Sequence, residues 1–148
     1  MLFIQISYNF GVLTSPIGNK MNPEELKERF FRFAIAIVRF TEKFPKKTVY
    51  FIIEKQMIRC SSSSAANYNA ACCGKSGADF INKLKIVEEE LDETIFWLKY
   101  TVGVDPIWDI PSSGLKKEAK ELLSIMVASI KTARKTQLKQ LTHGALKS

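Results

Sequence analysis

Four polar side chains stand where a packed helix normally carries aliphatic ones: Gln56, Arg59, Ser63 and Asn67 follow one another at spacings of three and four. Such spacing stacks two amides, a guanidinium and a hydroxyl along one helix face. The chemistry of that stripe is hydrogen bonding, and its groups need partners on neighbouring helices or on another molecule. A second constellation lies near the C-terminus. Lys131, Arg134, Lys135, Lys139 and Lys147 give residues 131–148 a charge of +5 with no acid to offset it. Lys131, Arg134, Lys135 and Lys139 are therefore the candidate phosphate contacts of a nucleic-acid-binding surface, the simpler alternative being a solvated basic end.

Other patterns carry less. Gly74, Lys75 and Ser76 resemble the end of a phosphate-binding loop, but that motif needs a glycine where this chain has Asn69, and a strand leading in. A turn and a helix cap explain them. The acidic run Glu88, Glu89, Glu90, Asp92 and Glu93 spreads around a helix, which fits a solvated or salt-bridged face better than acid/base catalysis. His143 is the single histidine and lies far from Cys72 and Cys73, so no metal-ligand spacing exists, and neither a cofactor nor catalysis is expected. Cys60, Cys72 and Cys73 are odd in number, with two adjacent, a poor disulfide framework and an argument for a reducing cytoplasm.

The elements that must position these residues read as helices. Asn22, Pro23 and Glu25 form a start signal, after which Leu26, Phe30, Phe33, Ile37, Phe40 and Phe44 repeat at fours and threes up to Pro45. Phe31, Ala34, Ile35 and Val38 make a second apolar face. A second helix is expected over about 47–72, and its serines Ser61–Ser64 imply close packing of small side chains. Gly74 ends it, and Ser76 with Asp79 suggests a capping box for a third helix with the seam Phe80, Leu84, Val87, Leu91, Ile95, Leu98 and Val102. Asp105, Pro106 and Pro111 are read as a break, and a fourth helix is expected from Ser112 or Ser113 through Leu115, Ala119, Leu122, Met126, Ser129 and Ala133. The expected fold is an all-α, up-down-up-down antiparallel four-helix bundle over 21–138. Residues 139–148 are expected as a flexible basic tail. Residues 1–20 are read as an extension before Met21, with a short strand or docked arm as the alternative.

Composition agrees with one domain. The chain has 148 residues, 46% of them apolar and 25% charged, and a net charge of +7. Residues 21–60 carry a charge of +4 and residues 76–109 a charge of −5, faces that could meet within a bundle or between protomers. Most of the ten phenylalanines occupy seam positions, and the apolar surface left over argues for a homo-oligomer. No window is long and apolar enough for a membrane span.

The run Gln56, Arg59, Ser61–Ser64, Ala65, Ala66, Asn67 and Tyr68 resembles a bacterial family of four-helix-bundle proteins encoded in intervening sequences of 23S ribosomal RNA genes. The resemblance continues through Gly74, Lys75, Ser76, Asp79, Phe80, Ile81, Lys83 and Leu84 to Glu90, Glu93, Thr94, Trp97 and Leu98. In that family a basic residue often stands at the positions of Asn69 and Cys73. The resemblance implies a non-enzymatic oligomeric protein. Related accessory proteins of diversity-generating retroelements form pentamers that associate with a reverse transcriptase and nucleic acid, so RNA or DNA and a reverse transcriptase are the partners it implies. A purely structural protein-protein interaction module is the competing expectation.

Overall fold

The computed structural model describes Leu13–Thr14 and residues 20–145, with side chains over residues 21–142. Four helices carry the fold: α1 Pro23–Thr41, α2 Thr48–Cys72, α3 Gly77–Val104 and α4 Asp109–Ala145. A short antiparallel ladder precedes them, in which Leu13–Thr14 (β1) pairs with Lys20–Met21 (β2), Leu13 opposite Met21 and Thr14 opposite Lys20. The expectation that residues 1–20 stand apart from the domain otherwise lies outside the described residues.

Contacts between helices fix their directions. Phe30 stacks on Tyr68 with ring centroids 4.9 Å apart, while Phe44, just past the far end of α1, meets Tyr50 at 5.1 Å, so α1 and α2 run antiparallel. Ser63 bonds Glu90 while Cys60 bonds Thr94, which reverses α3 against α2. Arg29 bonds Glu118 and Glu121 while Phe40 packs on Trp108, which reverses α4 against α1. Each helix packs on the next in the chain and α1 also touches α4, closing the expected up-down-up-down bundle.

Local chemistry explains where the helices begin and end. Asn22 and Glu25 exchange bonds of 2.9 and 3.0 Å in a full capping box, and Pro23 occupies a position whose N–H would lack a helical acceptor. Ser76 caps α3 by accepting from the Asp79 N–H at 3.1 Å, but the Asp79 carboxylate reaches Lys83 instead of closing a box. Gly74 ends α2 in a turn where a Cβ would lie 2.9 Å from the Ala71 carbonyl oxygen. A single 3-10 turn, Pro106–Trp108, links α3 to α4 and is capped by Asp105, which accepts from the Ile107 N–H.

Two expected boundaries move. α4 starts at Asp109, before Ser112, because Pro111 falls in the first turn, where its missing donor costs nothing. It also continues to Ala145, so Lys139 rides on a helix instead of in a tail; Gln137, Leu138, Lys139, Gln140 and Leu141 all favour helix, and the first glycine after Gly114 is Gly144.

The core is the union of the expected seams. Leu26, Phe30, Phe33, Ile37 and Phe40 from α1 meet Ile53, Met57 and Tyr68 from α2, Leu84, Val87, Leu91, Ile95 and Leu98 from α3, and Ala119, Leu122 and Met126 from α4. Thr101 takes the last buried place on α3 where Val102 was expected, its hydroxyl donating to the Trp97 carbonyl at 2.8 Å. Ser61 and Ser64 are fully buried and bond carbonyls of their own helix, so they bring α2 close to its neighbours without orphaned hydroxyls. At one end Trp108 closes the bundle, donating from Nε1 to the Tyr50 hydroxyl at 3.1 Å and packing edge-on against Phe44. Of the second face on α1, Ala34 is buried, whereas Phe31 stays 59% exposed and Ile35 is also open.

Candidate nucleic-acid interface

The polar stripe finds its partners on α3. Arg59 donates from Nε to Gln56 at 3.1 Å, from one terminal nitrogen to Glu90 at 3.2 Å, and from the other to Glu93. Ser63 donates to Glu90 at 3.0 Å, and Asn67 donates back to the Ser63 carbonyl and hydroxyl. Trp97 adds a donation from Nε1 to Glu93 at 3.2 Å. The four residues and part of the acidic run thus form one network across the α2–α3 seam. Its charges reinforce each other: the Arg59 guanidinium beside Glu93 holds that carboxyl below the usual carboxylate range, and Glu93 in turn raises Arg59. Beneath it Cys60 is buried, receives a hydrogen bond from the Thr94 hydroxyl, and has its thiol pushed up by burial.

A second bridge had no signal in the sequence. Arg29 on α1 donates two parallel bonds to Glu118 on α4, at 2.6 and 2.8 Å, and a third to Glu121 at 2.6 Å. These partners lie some ninety residues away, and only the antiparallel closure of α4 on α1 brings them together.

The basic residues of α4 are arranged differently. Lys131, Arg134 and Lys135 line a groove of about 390 Å³ together with Glu88 from α3 and with Val127, Ile130 and Leu138 from α4. Lys139 lies one turn beyond Lys135, exposed and outside that lining. All four cations are exposed, and among the described residues none forms an ion pair. Elsewhere in the bundle Lys27, Arg29, Arg32, Arg59, Lys83 and Lys116 reach carboxylates, whereas Arg39, Lys55, Lys85, Lys99 and several other lysines do not among the described residues; what sets the α4 group apart is that residues 131–148 hold no acid. The apolar floor made by Val127, Ile130 and Leu138 escaped the sequence reading, although the spacing of Val127, Lys131, Arg134 and Leu138 at fours and threes marks one helix face.

Among the described residues no cluster of three metal-ligating side chains occurs, and no helix is long and apolar enough to cross a membrane. The three cysteines are unpaired, Cys60 buried, Cys72 half-buried and Cys73 exposed.

Comparison with known proteins agrees with the architecture. A crystal structure of a protein of unknown function from the S23 ribosomal protein family of Bacteroides thetaiotaomicron superposes with a TM-score of 0.69 and 29% sequence identity. The match covers 75% of this chain and 99% of that one. No curated protein matches the chain. Residues 25–128 match the family model of the 23S rRNA-intervening sequence protein, from the first turn of α1 to the middle of α4 and short of the basic stripe. With the α2–α3 network and the Arg29–Glu118 bridge inside that span, the chain belongs to the 23S rRNA-intervening sequence protein family.

Proposed function

We propose that this protein is a non-enzymatic accessory protein that assembles into a homo-oligomer and holds nucleic acid by its phosphate backbone along the basic stripe of α4. The observation that carries the reading is the concentration of unopposed positive charge on one face of α4. Lys131, Arg134, Lys135 and Lys139 share an exposed face without a carboxylate partner among the described residues, on a stretch, 131–148, whose sequence holds no acid. Unpaired cations on one helix face attract a polyanion, and symmetry repeats the stripe in every protomer. The carboxylates that come together are held by arginine, Glu90 and Glu93 by Arg59 and Glu118 and Glu121 by Arg29, arrangements suited to tying helices and not to moving protons.

Retention of labelled RNA and DNA across a salt series tests this. Affinity should fall steeply with salt, and replacing the four cations with Gln should flatten the log–log slope by about three to four per protomer engaged while leaving the helical signal intact. Absence of retention at low salt overturns the reading. A purely structural interaction module would then be favoured by the exposed Phe51, Ile52, Phe96 and Tyr100.

A further inference from the structure

We infer that the groove beside Lys131, Arg134 and Lys135 takes single-stranded nucleic acid in preference to duplex, an inference that rests on the nucleic-acid reading above. A duplex offers phosphates and hides the faces of its bases, so a surface built for it needs cations and little else. This groove has more. Its floor is Val127, Ile130 and Leu138, with Leu138 63% exposed, and the apolar side chains alternate with the cations along one helix. Docked duplex would neutralise the cations and leave that floor wet. A single strand carries a phosphate and an unstacked base in each nucleotide, so it can set the phosphate on Lys131, Arg134 or Lys135 and lay the base on the floor, expelling water from both. Glu88 sets the polarity of the site. As the carboxylate on the α3 wall it repels phosphate, which keeps the backbone on the α4 side and turns the base inward.

The test compares single-stranded and duplex oligonucleotides of roughly 12 nucleotides at one low salt concentration, by fluorescence polarisation with the full chain. Single strands should bind the tighter. Leu138→Ser and Val127→Ser, both at exposed positions, should weaken single-strand binding by about tenfold and duplex binding by less than about twofold, with circular dichroism confirming an unchanged fold. Equal or tighter duplex binding, or an equal loss for both forms in the variants, overturns this inference and leaves the phosphate-binding function standing. Failure to bind either form takes down the proposed function and this inference with it.

Discussion

Arg29 grips Glu118 with two parallel hydrogen bonds and so ties the first helix of the bundle to the last. The pair is about a quarter exposed, and α1 and α4 make fewer contacts with each other than any consecutive pair of helices. Closure of the bundle therefore leans on this clamp more than on packing. Arg29→Met should destabilise the fold by about 2 kcal/mol, below the range for a fully buried pair because solvent screens part of the field. The urea midpoint reports it, and an unchanged midpoint would remove the clamp as a source of stability.

Glu93 gives a pH signature. Arg59 and, more weakly, Trp97 lower its carboxyl from the ordinary 4.5, against an opposing desolvation effect. The unfolded chain therefore takes up this proton at a higher pH than the folded one. The stability supplied by Arg59–Glu93 is complete above the ordinary value and disappears as the pH falls through the lowered one. The difference in melting temperature between the natural protein and Glu93→Gln should accordingly shrink between about pH 7 and about pH 3. A constant difference over that range would contradict it.

Tyr68 is 1% exposed, and its hydroxyl has no hydrogen-bond partner of normal geometry among the described residues; the half-buried Cys72 thiol is the polar side chain that acts on it most strongly. Burial pushes the hydroxyl far above its ordinary value. Tyr68→Phe keeps the ring stacked on Phe30 and removes a desolvated group, so stability should stay equal or rise by up to about 1 kcal/mol. A loss larger than about 1 kcal/mol would show that the hydroxyl makes a bond to the thiol worth keeping.

Self-association is tested on the two exposed apolar faces. Phe31 and Ile35 lie open on α1, and Phe96 with Tyr100 lies open on α3, the helix diagonally opposite in the bundle. Light scattering at micromolar concentration should give a mass of several protomers, and Phe31→Ser combined with Phe96→Ser should lower it. A monomeric natural protein would end the oligomer reading.

Local signals carried most of the fold into the sequence. Asn22, Pro23 and Glu25 start α1 through atoms within three residues of one another, and the apolar repeats mark the buried faces because helix geometry alone dictates them. Pro111 misled because its effect depends on whether it falls in a first turn or a later one, which spacing does not reveal. The polar stripe and the acidic run were both visible, but their meeting depends on the antiparallel register of α2 on α3, a tertiary fact. Arg29 with Glu118 is the extreme case, since nothing near either residue marks the other. For the basic stripe the residue types were legible and the groove was not, because its wall comes from Glu88 on another helix.

The 37 residues of α4 make a helix of about 55 Å, against about 28 Å for the 19 of α1. Among the described residues Ile130 is its last buried one and Ala133 the last packed on the core. The distal turns thus pack no described side chain into the core, on a length shorter than water alone stabilises well, and their amides should exchange hydrogen faster than those of the body. Lys131 stands on the protected side of that gradient and Lys139 on the other. A bound polyanion would slow exchange around Lys139 before it altered anything near Lys131, so the stripe reports its own occupancy as order gained at one end.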